Sequence, residues 1–199
     1  MSKIIFLDND GVICLSDNWG SRYTKQRKVY TESNPRPLQN ELPTELKFDN
    51  FDKKAIKVLN SILEETEAEI VVSSDWQNFA TCEQLGDYYE AQGIIKRPIG
   101  VTKEVGALEL EGLEDFPWHR GFDLEQHRSL EILQWLKHHP EVTNWVAVDD
   151  LNMGKHVEAG YYDAHDRDWG LTNFVWTPRI TEGIKQSGVS EKIINFLSK

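Results

Sequence analysis

Apolar residues along this chain fall into two alternating kinds of stretch. Short runs without polar alternation occur at residues 4–7, 70–72, 99–101, 145–148 and 174–177. Their length and unbroken apolarity suit strands of a parallel sheet buried on both faces. Between them the apolar positions recur at helical spacing. Ile56, Leu59, Ile62 and Leu63 follow Asp52 as an N-cap, and Phe79, Cys82, Leu85 and Tyr88 or Tyr89 are stopped by Gly93. Leu130, Leu133 and Leu136, with Ile132 and Trp135, mark a helix from near Leu124 to just before Pro140. Ile193, Ile194 and Leu197 mark a last one, capped by Ser190. Caps and periods of this kind predict an α/β fold.

Two of the strands end in paired acids. Asp8 and Asp10 follow the first run, and Asp149 and Asp150 follow the fourth. The carboxyl ends of such strands border the crevice where ligands bind in open α/β sheets. Two carboxylates this close need a proton or a cation between them, and a hard divalent ion with oxygen ligands is the economical choice. Gly11 permits a sharp turn that aims backbone amides at an anion. A metal, an aspartate nucleophile and anion-facing amides together describe phosphoryl transfer, whereas taken alone the segment is also an ordinary polar turn. Ser73 and Ser74 close the second run with hydroxyls able to donate to a phosphate oxygen. A cation near the nucleophile would keep it ionised, and by position Arg128 is the first choice, with Lys155 second.

Residues 16–50 form a long polar stretch that carries Arg22, Lys25, Arg27 and Lys28 beside Trp19, Tyr23 and Tyr30. A loop of that length is expected to be a functional flap. Its cations suit a substrate phosphate, Arg22 and Lys25 foremost, and its aromatic faces suit a base or a sugar.

The segment Phe6-Leu7-Asp8-x-Asp10-Gly11-Val12 resembles the first motif of the haloacid dehalogenase (HAD) superfamily of Mg-dependent phosphohydrolases. Ser73, Arg128 and the pair Asp149 and Asp150 fall where its second, third and fourth motifs belong. The run Ile70 to Trp76, with Arg128, Glu131, Ile132, Trp135 and Leu136, resembles the small HAD branch of the Swiss Army Knife RNA-repair type. Gln77 departs from that branch, which often has arginine after the tryptophan, and the insertion at 16–50 is longer than a minimal flap. The resemblance implies a three-layer Rossmann-like fold with a central, mostly parallel sheet and helices on both faces. It implies Asp8 as nucleophile, Asp10 as general acid and base, Ser73 and Arg128 as catalytic partners, and phosphoryl oxygens held by Asn9, Gly11 and Ser74. Mg2+ would be bound by Asp8, Asp10, Asp149 and Asp150.

Composition narrows the substrate. The chain has 199 residues and a net charge of -11. That length suits one domain, with 16–50 as its flap. The charge opposes sequence-indifferent binding to a long polyanion. A small phosphorylated compound such as a nucleoside monophosphate is therefore expected, with a polynucleotide 3'-end phosphatase as the competing enzyme and a non-catalytic HAD-fold binding module as the third reading. Two cysteines in separate segments, Cys14 and Cys82, without metal-ligand spacing, no signal-type leader and no run of roughly 20 apolar residues lead to the expectation of a reduced cytoplasmic protein without a membrane partner.

Overall fold

A computed structural model describes residues 2–105, 124–154 and 170–198. Five parallel strands form its sheet: β1 (Lys3–Leu7), β2 (Glu69–Val72), β3 (Gly100–Val101), β4 (Asn144–Asp149) and β5 (Phe174–Trp176), in the order β3-β2-β1-β4-β5. The helices among the described residues are α1 (Ser21–Val29), α2 (Thr44–Lys47), α3 (Lys53–Thr66), α4 (Cys82–Gln92), α5 (Leu124–His138) and α6 (Val189–Leu197).

Side chains of β1 leave its two faces alternately. Ile5 and Leu7 join Leu59, Ile62 and Leu63 of α3, Leu85 and Tyr89 of α4 and Ile193 and Leu197 of α6 in one core. Ile4 and Phe6 join Ile132 and Trp135 of α5 in a second. Period-two alternation between two apolar layers explains why β1 has no polar position after Lys3. The molecule thus has the three-layer α/β architecture expected, with every strand pairing parallel.

Most boundaries follow local chemistry. Asp52 caps α3, its Oδ1 accepting from the amides of Lys54 (3.0 Å) and Ala55 (2.8 Å). Two expected starts move. Thr81 and Gln84 form a capping box that starts α4 at Cys82, leaving Phe79 outside the helix and half exposed. Ser190 lies inside α6, whose N-cap is Gly188 at φ 81°, because the left-handed turn there is open to glycine. Residues 16–50 are more ordered than a flap loop, since α1 and α2 lie within them.

Asp52→Ala is expected to lower stability by about 1 kcal/mol, read from chemical denaturation. Partial burial pushes the Asp52 carboxyl up, but the amides of Ala55 and Lys54 and the Lys185 ammonium outweigh it and hold its pKa below the ordinary value. The carboxylate's contribution is therefore complete above the unfolded pKa of about 4 and lost as pH falls through the lower folded value, so wild type and variant should converge in acid.

Candidate active site

Parallel register assembles the site. Leu7 pairs with Val72 on one side and Val148 on the other. The next residues, Asp8, Ser73 and Asp149, therefore stand in one row at the carboxyl edge of the sheet. β1 is central, and the chain runs to β2 on one flank before crossing to β4 on the other. Asp8 and Asp149 border that reversal, where the crevice opens.

The turn after β1 is clamped. The amides of Val12, Ile13 and Cys14 all donate to the Asn9 carbonyl, at 3.3, 3.0 and 2.8 Å. Asn9 is buried and its Oδ1 accepts from the Tyr89 hydroxyl. Gly11 has φ 72°, and a Cβ there would lie 2.5 Å from Asp150 Oδ2, so only glycine lets the turn approach that acid. The Gly11 amide, expected to face a phosphate, donates to the Cys14 carbonyl at 3.0 Å. That contact corrects the expectation, because a committed amide cannot serve an anion as well.

Carboxylate oxygens of Asp8, Asp149 and Asp150 lie within 4.8 Å of one another. Arg128 reaches them from α5, 4% exposed, its Nη1 donating to Asp8 Oδ1 (3.0 Å), to Asp149 Oδ2 (3.3 Å) and to the Ser73 carbonyl. Its Nη2 donates to Asp75 Oδ1 at 3.1 Å. With its nitrogens committed to carboxylates, Arg128 orients and charges the acids more than it reaches toward a substrate. Lys155, the other expected cation, lies outside the described residues.

Three acids around one guanidinium leave the cluster short of positive charge. Burial pushes the Asp8 pKa up to about 7, with Asp10 and Asp150 adding to the rise and Arg128 opposing it. Asp149 and Asp150 are raised as well, burial being the main cause in both. The donor set contains oxygen only, which fits a hard divalent ion such as Mg2+ and not zinc. Ser73 Oγ, at the same edge, is buried and has no hydrogen-bond partner, and the same holds for Asn9 Nδ2. Unpaired buried donors beside a charge-deficient cluster suit an anion together with a hard cation.

The Asp10 carboxylate is not one of the three. Instead Asp10 Oδ2 accepts from Trp76 Nε1 at 2.8 Å, because the indole is locked between Phe48 (4.3 Å between ring centroids, 7° between planes) and Phe51 (5.3 Å, 15°). The Asp10 carboxylate is thus turned to the indole, which leaves its backbone carbonyl as the oxygen by which Asp10 could contribute to a metal. Burial raises its pKa, against the Trp76 hydrogen bond.

Residues of the insertion meet Asp10 from outside. Asp10, Arg22, Lys47, Phe48, Asp75, Trp76 and Phe79 border a cavity of about 270 Å3 with Gln39. Arg22 is anchored through its amide to Asp49 Oδ1 at 2.7 Å. Lys25, expected beside it, is drawn inward and donates to the Phe48 carbonyl (2.7 Å) and the Tyr88 hydroxyl (3.1 Å), so it secures α1 to the body and does not face the site. Lys47, Trp76, Asp75 and Tyr89 are the neighbours that sequence reasoning missed. Trp76 alone carries a signal, an indole two residues after the strand-end hydroxyls.

The profile of the family described as "HAD domain in Swiss Army Knife RNA repair proteins" matches residues 4–173. No curated protein and no solved structure gives a match.

Proposed function

The chain belongs to the HAD domain family of Swiss Army Knife RNA repair proteins, and from that premise we propose that it is a Mg-dependent phosphatase acting through an aspartyl-phosphate on Asp8. The observation that carries the reading is the meeting of Asp8, Asp149, Asp150 and Arg128 at one point of the carboxyl edge. Asp8 attacks phosphorus in line, forming an Asp8 O–P bond as the bond to the leaving oxygen breaks. Asp10 gives that oxygen its proton, then takes one from the water that hydrolyses the acyl phosphate. Burial suits Asp10 to the first of these steps, since a raised pKa lets it hold the proton near neutral pH. Ser73 Oγ and the Asn9 and Asp10 amides are the donors available for phosphoryl oxygens.

Asp8, Asp149 and Asp150 would hold the Mg ion, which when bound neutralises phosphoryl charge and keeps these carboxylates ionised. Residues 16–50 act as a cap. The cavity beside Asp10 takes the leaving group, because the proton donor must lie next to the departing oxygen. Its volume of about 270 Å3, with aromatic walls and Arg22 and Lys47, suits one nucleoside. It would accept a free nucleoside monophosphate or the terminal nucleotide of a strand equally well. A metal-holding module without turnover would need neither Asp8 as nucleophile nor Asp10 as donor.

Phosphate release from nucleoside 3'- and 5'-monophosphates and from non-nucleotide phosphomonoesters, with Mg and with a chelator, is the test. Mg-dependent release with nucleotides preferred is expected; no release from any ester with any divalent ion would sink the scheme.

Affinity for Mg is expected to climb as pH rises from about 6 to 8. Burial pushes the Asp8 pKa up to about 7, so below that pH a proton must leave before the carboxylate can ligate. Calorimetric titration in buffers of different ionisation enthalpy should report proton release at pH 6 that diminishes as pH rises, since Asp149 and Asp150 are raised as well as Asp8.

A further inference from the structure

Helix α1 departs from the other long helices. Its sequence has one aliphatic residue, Val29, which is exposed, and its only buried side chain is Gln26. Polar contacts hold it in place: Lys25 on Phe48 and Tyr88, Gln26 Nε2 on the Leu46 carbonyl (2.6 Å), and the Asp49 carboxylate at its first turn. A helix that brings no apolar face to the core is there for what it displays.

What it displays is a second cavity of about 270 Å3, lined by Tyr23, Gln26, Arg27, Tyr30 and Arg36. Tyr23, Gln26 and Arg27 stand at i, i+3 and i+4 on one stripe of the helix, and Tyr30 follows as its extended C-cap. Arg36 closes the end, donating from Nη1 to Gln26 Oε1 at 2.9 Å. Two phenol rings and two guanidinium groups thus share one concavity. Between residues 22 and 36 the chain carries five cations and one carboxylate, although the protein's net charge is -11. Arg22 belongs to the cavity beside Asp10 and Tyr23 to the second one, and Arg22 Nη2 donates to the Tyr23 hydroxyl at 3.3 Å. The two cavities therefore adjoin through one residue pair.

We propose that this second cavity is a nucleotide subsite, occupied by the next unit of a polynucleotide whose terminal phosphate lies at Asp8. A strand offers alternating flat bases and phosphates; tyrosine rings stack on the former and arginines meet the latter. A free mononucleotide fills only the first cavity, so the second is useful only to a strand end. The inference rests on the reading of Asp8 as phosphoryl acceptor and adds the place on α1 where the neighbouring nucleotide is held.

The test compares kcat/KM for a nucleoside monophosphate with that for a tetranucleotide bearing the same terminal phosphate, at the 3' and the 5' end. An advantage of about tenfold or more is expected for the oligomer, falling with salt, since one stacked base supplies that much. Tyr30→Ala and Arg27→Glu should each remove most of the advantage and leave the mononucleotide rate unchanged, while Tyr30→Phe retains it. In parallel, fluorescence anisotropy with a labelled tetranucleotide lacking the terminal phosphate reads the subsite on unmodified protein without turnover, and the same order of variants is expected. Equal rates for monomer and oligomer, an advantage that survives both substitutions, or a parallel loss on the mononucleotide each overturn the proposal. Should no ester be hydrolysed while oligomer binding follows the variant order, the phosphatase reading fails and the subsite stands.

Discussion

Asp8→Asn is expected to lower phosphate release by at least about 10,000-fold, because it removes the atom that accepts the phosphoryl group while altering the shape of the site little. The amide oxygen is a poor nucleophile and a neutral metal ligand, so Mg affinity should fall with the rate. Circular dichroism should show an unchanged fold, since Asp8 lies at the edge of β1 and not within its apolar run. Asp10→Asn serves as the partner experiment. Proton donation is worth about 100- to 10,000-fold, and the loss should shrink on an aryl phosphate whose leaving group needs no proton. An Asp8→Asn protein that retains wild-type turnover would exclude covalent catalysis at this residue.

Arg128→Leu is expected to be the most destabilising single change in the site. The guanidinium is almost fully buried and is shared by Asp8, Asp149 and Asp75. Removing it strands two buried carboxylates, which costs about 3–5 kcal/mol when one partner of a buried ion pair is lost. For a chain of this length that is a fall in Tm of roughly 10 °C. Activity should fall as well, because without the arginine the already raised Asp8 pKa climbs further and the nucleophile stays protonated at neutral pH. Saturating Mg should recover part of the lost Tm by supplying the missing positive charge, with no such recovery in chelator. Arg128→Lys should fall between the two, since a single ammonium cannot span all three acids. A Leu variant that melts with wild type would mean that the acids are held neutral and unpaired in the native protein.

The order in which sites appear along the chain explains what could be read early. Asp8, Asp149 and Ser73 each follow directly on an apolar run, and a strand end is a local event that the sequence announces. Asp52 and Gly93 likewise act on their nearest amides and carbonyls. The starts of α4 and α6 differ from the expected ones because the capping box of Thr81 and Gln84 sets the first, and the left-handed turn at Gly188 starts the second two residues before Ser190.

Side-chain direction was a different matter. Lys25 looked like a phosphate ligand by charge, yet it turns toward a carbonyl and a phenol contributed by residues 23 and 63 positions away. Trp76 and Asp10 are 66 residues apart, and only the stack of Phe48, Trp76 and Phe51 aims the indole N–H at the carboxylate. Gly11 was legible as a turn, but its amide partner and the close approach of Asp150 were not.

By itself the sequence determined the strands, most of the helix caps and the identity of the acids, because each follows from hydrogen bonds and burial within a few residues. Tertiary structure decided which of those acids share one point, that a cation 120 residues beyond Asp8 reaches it, and which cations of the insertion face outward. The physical reason is register. Parallel pairing of β2, β1 and β4 sets three strand ends level, and a shift of one residue in either pairing would turn the same acids to opposite faces.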